Sequence, residues 1–143
     1  MGKHFQYISI NAICSSLSPD TSQALPIFHT FTGCDTTSCF FGKSKKSAWE
    51  AWKSYPAVTE AFLHLRNNTF QWLGLEDPEF KTLERFTVVI YDRSSNLLSV
   101  NDARQERFTK KVRTLEDIPP TQKRPIRYQL TNIFISKLTK ESD

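Results

Sequence analysis

Glycine, methionine and cysteine are scarce in this chain, and long apolar segments are missing. The 143 residues include four Gly, one Met and three Cys. An odd number of cysteines without a disulfide-framework spacing argues against a secreted, disulfide-stapled domain and favours an intracellular location, with the nucleus as one candidate compartment. No apolar run approaches the roughly 20 residues needed to span a bilayer, and no signal-peptide core is present, so no membrane partner is expected.

Phenylalanine, by contrast, is abundant. Eleven Phe accompany an overall hydrophobic content of 38% and a charged content of 24%, which is the balance of a folded domain rather than a disordered polyelectrolyte. So much aromatic surface has to be buried in a chain of this length. The net charge of +4 allows a nucleic-acid partner without requiring one.

Capping and breaking residues predict the first helices. Ser9 can cap a first helix, and Asp20 followed by Gln23 resembles the capping box of a second. Pro26 predicts a kink or a delayed start in that second helix, and Gly33 is placed to end it.

Residues that start or end helices also mark a third and a fourth helix in the first half of the chain. A third helix is expected from Lys45 to Tyr55, and Pro56 suits the first turn of a fourth, which Asn67 and Asn68 end. Trp49, Trp52 and Phe62 have helical spacing, which favours core positions over a base-stacking platform.

Two helices are predicted in the second half. Pro78 can open a long one, although the β-branched run of residues 87–91 also fits a strand, and the helix is preferred. Ser99 with Asp102 predicts the start of a basic helix that carries Arg104 to Arg113. A solvated face is the favoured interpretation of these basic residues, and a phosphate track is the alternative.

These elements define three regions. Residues 1–75 are a small helical array, residues 76–122 a C-terminal helical extension, and residues 123–143 a poorly patterned, disorder-prone tail. The predicted fold class is mainly α, with one short strand near Phe5–Ile8.

Residues 41–44 could in principle bind phosphate as a P-loop. They match the end of the GxxxxGK[ST] motif. The glycine that should open the motif is replaced by Thr37, and two bulky aromatic residues interrupt the flexible cradle. The sequence therefore does not favour a P-loop.

A metal site is the second candidate. Its ligands would be His29, Cys34 and Cys39, with His64 as a possible fourth. The four-residue gaps between the first three do not match zinc knuckles or fingers. Buried structural thiols are the favoured interpretation.

A hairpin that grips a nucleic-acid backbone is the third candidate. A helix that ends at Gly33, a short connection and a turn at residues 42–44 would lead into the N-terminus of the next helix, whose N–H groups attract phosphate. Lys43, Lys45 and Lys46 add positive charge there. An ordinary solvated helix start fits the spacing equally well.

The same segment resembles a known family. Residues 33–35 read Gly-Cys-Asp, and residues 42–48 read Gly-Lys-Ser-Lys-Lys-Ser-Ala. This pattern is similar to the GCD triplet and the GxGxKxA-type hairpin of flap endonucleases, the XPG-type, PIN-like nucleases. With later similar segments at residues 84–93 and 118–122, also found in a group of uncharacterised animal proteins, the resemblance covers roughly residues 3–122.

The resemblance implies roles for particular residues. Asp35 would correspond to one carboxylate of the family's divalent-metal cluster. The hairpin would hold duplex or branched DNA by its phosphates, with a monovalent cation on backbone carbonyls, through Gly42, Lys43, Ser44, Lys45 and Lys46. Ser44 stands where the family has a second glycine, and a position that needs a positive φ would be strained there.

Catalysis is not expected from this chain. Two-metal phosphodiester hydrolysis needs several converging carboxylates, whereas Asp20 and Asp35 are the two acids among residues 1–49. The family's other ligands come from upstream strands that this sequence does not include, which implies a fragment of an α/β PIN-like nuclease module. No cofactor is expected in isolation, and Mg²⁺ or Mn²⁺ would bind only if the missing carboxylates were supplied.

The sequence thus leads to two functional hypotheses. The first is DNA-backbone binding without sequence specificity and without catalysis, by a truncated flap-endonuclease-like module. The second is a structural or protein-interaction helical fragment with no nucleic-acid role. In that case self-association through exposed aromatic surface is expected, because helices that once covered a sheet would lack their partner.

Overall fold

Six α-helices make up the part of the chain that the computed structural model describes, namely residues 9–33, 40, 42–68, 74–110 and 118–119. They are α1 (Ile10–Ser16), α2 (Pro19–Thr32), α3 (Lys45–Ser54), α4 (Val58–Asn67), α5 (Pro78–Tyr91) and α6 (Val100–Thr109). The predicted mainly α class is confirmed. Several expectations lie outside the described residues: the strand near Phe5–Ile8, Cys34, Asp35, Thr37, Cys39, the end of the basic helix at residues 111–113 and the tail at 123–143.

The start of α2 differs from the prediction. Ser18 rather than Asp20 is the N-cap, and its Oγ accepts the N–H of Thr21 at 3.2 Å. Pro19 fixes this boundary because its rigid φ and missing N–H suit the first helical position, and Asp20 consequently lies inside the first turn. Pro26 lies within a helix that continues past it, so the helix has no delayed start.

Other boundaries follow the sequence signals more closely. Ser9 caps α1, Ser99 caps α6, and Gly33 ends α2 with a φ of 108°, a conformation that glycine adopts without steric cost. The prediction that Pro56 lies in the first turn of α4 is wrong, because Pro56 and Ala57 form a turn and the helix begins at Val58.

The β-branched run of residues 87–91 is helical, as preferred, and it is buried on every side. α3 and α4 pack against α5, and α6 packs against it as well. A helix that is surrounded by other helices carries apolar residues on all sides. Residues 87–91 therefore form a continuous apolar run that looks like a buried strand in the sequence. Surrounding helices thus account for the ambiguity in the sequence.

Aromatic rings form the centre of the core. Phe62 is fully buried, and its ring centroid lies 6.2 Å from that of Phe28, 5.9 Å from Phe31, 5.4 Å from Trp52 and 5.7 Å from Phe86. These rings come from α2, α3 and α5, so helices of both predicted regions share one core. The predicted core positions of Trp52 and Phe62 are confirmed, and Trp49 packs half-buried beside them.

Burial of these rings removes the support for self-association through exposed aromatic surface. Among the described residues, the large apolar side chains that are exposed are Ile13, Leu98 and Phe108. The sequence led us to expect aromatic side chains whose packing partner, a sheet, is missing. In the structure Phe80 and Phe86 of α5 are that packing partner. Packing between helices thus accounts for the phenylalanines that are buried in the described part of the chain.

Two charged side chains of α5 fix the segment that leads into α6. The Glu84 carboxylate accepts the N–H of Val100 at 2.9 Å, at the start of α6. The Arg85 guanidinium donates to the carbonyl oxygens of Leu97 and Ser95, both at 2.6 Å. Backbone N–H and carbonyl groups of the segment between α5 and α6 are thereby hydrogen-bonded to side chains. None of the described helices is long and apolar enough to cross a membrane.

Truncation of Phe62 should test the aromatic core. We expect Phe62→Ala to lower the free energy of unfolding by about 3–5 kcal/mol, because it leaves a cavity among four rings. Phe108→Ala is the matched control, since Phe108 is 59% exposed and should change stability by about 0.5 kcal/mol or less. Urea unfolding followed by tryptophan fluorescence measures both. Similar losses for the two variants would contradict this description of the core.

Candidate functional site

The turn before α3 is anchored in the core. The N–H of Lys43 donates to the carbonyl oxygen of Phe40 at 3.0 Å, which closes a β-turn, and Gly42 occupies its third position with a φ of 72°. Phe40 is buried, with its ring centroid 5.7 Å from Phe31 and 6.5 Å from Tyr91. The turn therefore has a fixed position on α2 and α5.

Ser44 is the N-cap of α3. Its backbone is extended, with φ −84° and ψ 165°, and its Oγ accepts the N–H of Ser47 at 3.1 Å. The strain expected at a serine in a glycine position does not arise, because the positive φ is taken by Gly42. Serine is a residue type that caps helices well.

The structure brings two of the three predicted lysines together. Lys43 Nζ lies 5.3 Å from the centroid of the Tyr91 ring, and Lys46 is exposed on the first turn of α3. Both side chains line the same cleft. Lys45 points elsewhere, since its ammonium group hydrogen-bonds to the C-terminal turn of α2.

The cleft lies between the start of α3 and the end of α5 and has a volume of about 310 Å³. Its lining residues are Lys43, Lys46, Ser47, Glu50, Ile90, Tyr91 and Arg93. Three cations thus face one carboxylate, and Glu50 Oε1 is paired with Lys53 Nζ at 3.2 Å. The N-terminus of α3 contributes a further partial positive charge. The arrangement suits an anion held by direct charge contacts.

Arg93 lines the cleft although no motif in the sequence predicts it there. It lies far from Lys43 in the chain, and the packing of α3 on α5 brings the two to one cleft. A sequence signal did exist, because Arg93 falls in one of the later segments that resemble the nuclease-like proteins. The resemblance gave it no role.

Asp92 fixes the backbone next to Arg93. Its carboxylate accepts the N–H and the hydroxyl of Ser94, at 2.9 and 2.6 Å, and the guanidinium of Arg107 at 2.7 Å. Partial burial alone would raise the pKa of Asp92, but the hydrogen bonds from Ser94 and the charge of Arg107 outweigh it and hold the pKa below its ordinary value. α6 thereby positions one wall of the cleft.

Of the proposed metal ligands, the structure describes His29 and His64, and these two have different partners. His29 contacts Lys45, and His64 Nε2 lies 3.7 Å from Glu79 Oε1. Across the described residues, no group of three or more His, Cys, Asp or Glu could hold a metal ion. That part of the chain therefore does not supply the ligands that a Mg²⁺ or Mn²⁺ pair needs. Residues 34–39 and 41 of the predicted hairpin lie outside the described ranges, so the helix–hairpin–helix detail stays a prediction.

Replacement of Ser44 should show whether it acts as a cap. Ser44→Ala should lower the free energy of unfolding by about 1 kcal/mol, and Ser44→Gly by a few tenths. Ser54→Ala, at the exposed opposite end of α3, is the control and should cost about 0.5 kcal/mol or less. Urea unfolding measures all three. Stabilisation by the glycine would mean that this position favours a positive φ instead.

The lowered pKa of Asp92 predicts a pH-dependent stability. The ionised form is favoured in the folded state, so the stabilisation is complete above the ordinary aspartate value of about 3.9 and is lost as the pH falls below it. Asp92→Asn should therefore cost about 1 kcal/mol at pH 7, and this cost should shrink below about pH 4. Unfolding by urea between pH 7 and pH 3 measures the difference.

Glu76→Gln is the control for Asp92→Asn. Its ion pair with Lys81 is highly exposed and should contribute little at any pH. A cost for Asp92→Asn that stays constant from pH 7 to pH 3 would contradict the assigned electrostatics.

Comparisons with known proteins neither support nor contradict the resemblance to the flap endonucleases. No protein-family model, no curated protein and no solved structure matches this chain. The relationship to the flap endonucleases therefore remains a prediction from residues 33–48.

Proposed function

We propose that this protein binds the phosphate backbone of DNA, duplex or branched, without sequence specificity and without catalysis. The observation that carries the proposal is the cleft in which Lys43, Lys46 and Arg93 meet beside the N-terminus of α3. The proposal includes the helix–hairpin–helix and the flap-endonuclease-like origin. It also includes an intracellular location, with the nucleus as the candidate compartment.

The chemistry of the cleft favours phosphates over bases. Ammonium and guanidinium groups contact phosphate oxygens whatever the sequence, and a guanidinium can do so with two parallel hydrogen bonds. Tyr91 is the aromatic residue of the lining, and its ring is buried beneath Lys43, so it offers no open face for base stacking. Binding should therefore depend strongly on salt and weakly on sequence.

Binding without catalysis fits the carboxylates of the site. Among the described lining residues the carboxylate is Glu50, which is paired with Lys53. Two-metal hydrolysis would require several such groups at one point. A divalent cation is accordingly no part of the proposed binding.

The alternative hypothesis, a structural or protein-interaction fragment, needs apolar surface. The exposed large apolar side chains of the described residues, Ile13, Leu98 and Phe108, do not line the cleft. No observation on these side chains favours a particular protein partner. DNA-backbone binding is therefore the function that the site supports best.

Charge reversal of the cleft tests the proposal. For three phosphate contacts, the logarithm of the association constant should fall with the logarithm of salt concentration with a slope of about −2.7. The triple variant Lys43→Glu, Lys46→Glu, Arg93→Glu should abolish detectable binding, and Lys46→Gln alone should make the slope shallower by about 0.9. Fluorescence anisotropy with a labelled duplex at 25–200 mM salt measures both.

The matched control is Arg66→Glu, Lys81→Glu, Lys110→Glu. It replaces the same residue types and gives the same net charge, at exposed positions that do not line the cleft. This control should keep most of the affinity. Equal losses in the two triple variants, or no binding by the wild type at 25 mM salt, would contradict the proposed function.

A further inference from the structure

The cleft beside α3 has the size of a site for one small anionic group. Its volume of about 310 Å³ is at the lower end of the range of ligand pockets, roughly 300–1,000 Å³. Lys43, Lys46 and Arg93 line this single cavity, although they come from the turn before α3, from its first turn and from the segment after α5. Three cations around one small cavity can contact the same group, whereas successive phosphates of a strand are spread along its length.

A terminal phosphate and a backbone phosphate present different charges to such a cavity. A phosphate monoester carries about −1.5 to −2 charges at pH 7 and has three strong acceptor oxygens. A backbone phosphodiester carries one negative charge and has one fewer free oxygen. The Coulomb attraction to each cation is proportional to the charge of the anion, so three converging cations favour the monoester.

The lining next to the cations strengthens this difference. Ile90 and Tyr91 are buried, and Lys43 Nζ lies 5.3 Å from the centroid of the Tyr91 ring. Apolar groups beside a cation lower the local dielectric, which increases the electrostatic energy of its contacts. Lys46 and Arg93 are exposed, so an anion reaches them directly from solvent.

Glu50 is the carboxylate of the lining, and Lys53 offsets its charge. Glu50 Oε1 lies 3.2 Å from Lys53 Nζ, three residues further along α3. This pair is neutral as a whole, so the charge that faces a ligand is that of the three cleft cations. The N-terminus of α3 adds a partial positive charge to it. The lining as a whole therefore favours an anion of high charge.

Ser47 supplies a neutral donor to the same cavity. Its N–H donates to Ser44 Oγ at 3.1 Å, and the two hydroxyl oxygens lie 3.2 Å apart. A hydroxyl group has one donor and two acceptor positions. When the Ser44 hydroxyl donates to Ser47 Oγ, the Ser47 proton can point into the cleft that Ser47 lines. Three cations and one hydroxyl then match a group with three acceptor oxygens.

We propose that the cleft selects a doubly charged terminal phosphate group over the phosphodiester of the backbone. Phosphorylated strand ends carry this group, and inorganic phosphate has the same charge. The inference rests on the proposed function, since the same cleft makes the contacts, and it names the part of a DNA molecule that is bound most tightly. A duplex with phosphorylated ends is bound at an end, while a duplex without them is bound along its backbone.

Two duplexes of one sequence, with and without 5′ phosphates, test the selectivity. At pH 8, well above the second phosphate pKa of about 6, and at 25 mM salt, the phosphorylated duplex should bind about tenfold more tightly. This gain corresponds to one further hydrogen bond to a charged group. Fluorescence anisotropy with an internal label measures both affinities.

Inorganic phosphate as a competitor distinguishes the two sources of the group. It is compared with sodium chloride of equal ionic strength, so that general screening is the same in both arms. If phosphate removes the gain and chloride does not, the selectivity is supported and the cleft also binds free phosphate. If the gain persists in both, the selectivity is supported and the group has to be part of a strand end.

Ser47→Ala tests the contribution of the hydroxyl. This variant keeps the N–H that Ser44 caps but lacks the donor to the third oxygen. The ratio of the two affinities should therefore fall from about tenfold to about twofold. Ser54→Ala is the matched control, because Ser54 is exposed at the opposite end of the same helix, and it should leave the ratio at about tenfold.

Four outcomes separate the inference from the proposed function. Equal wild-type affinities for the two duplexes would overturn the selectivity and leave backbone binding in place. If Ser47→Ala changes the ratio no more than Ser54→Ala does, the terminal phosphate lies outside the cleft and the inference is overturned as well. Binding of the phosphorylated duplex alone would support the inference and contradict backbone binding. Binding of neither duplex would contradict both.

Discussion

The packing of Phe62 is the interaction on which the rest of the structure depends. Its ring contacts Phe28 and Phe31 of α2, Trp52 of α3 and Phe86 of α5, so a single buried side chain fixes four helices relative to one another. Edge-on and tilted ring contacts of this kind restrict both distance and angle, because the ring quadrupoles disfavour face-to-face stacking. The phenylalanines of α2, α4 and α5 are thereby buried, where apolar surface stabilises the fold most.

The charges of the cleft occupy their positions as a result of that packing. Phe31 contacts Phe40, and Phe40 contacts Tyr91, so ring contacts continue from the core to the floor of the cleft. Lys43 then lies over Tyr91, while Arg93 is positioned by the neighbouring carboxylate that α6 holds. Because the Lys43 side chain already rests over the Tyr91 ring, it loses less conformational freedom on binding an anion than a fully exposed lysine would.

Patterns within a few residues of the sequence predicted most of the helices. Most features that the sequence did not predict depend on contacts between residues that are far apart in the chain. Ser9 and Gly33 mark helix ends through interactions within a few residues, so the sequence alone sufficed. The N-cap of α2 is Ser18, two residues before the predicted Asp20. The fixed φ of Pro19 suits the first helical position and therefore decides the boundary against the capping-box pattern. Arg93 lines the cleft without having been predicted there, and Lys45 was predicted there but contacts α2 instead. Both positions depend on contacts between separate helices, which no local pattern encodes.

The most direct test of the central claim is a backbone-amide NMR titration with a short non-specific duplex at low salt. The account predicts that the largest shift changes fall in two segments distant in sequence, residues 42–47 and 91–93, and that added salt reverses them. Changes concentrated on residues 100–110 would place the interface on the basic helix α6. Either that result or the lack of any change would contradict the assignment of the cleft as a phosphate-binding site.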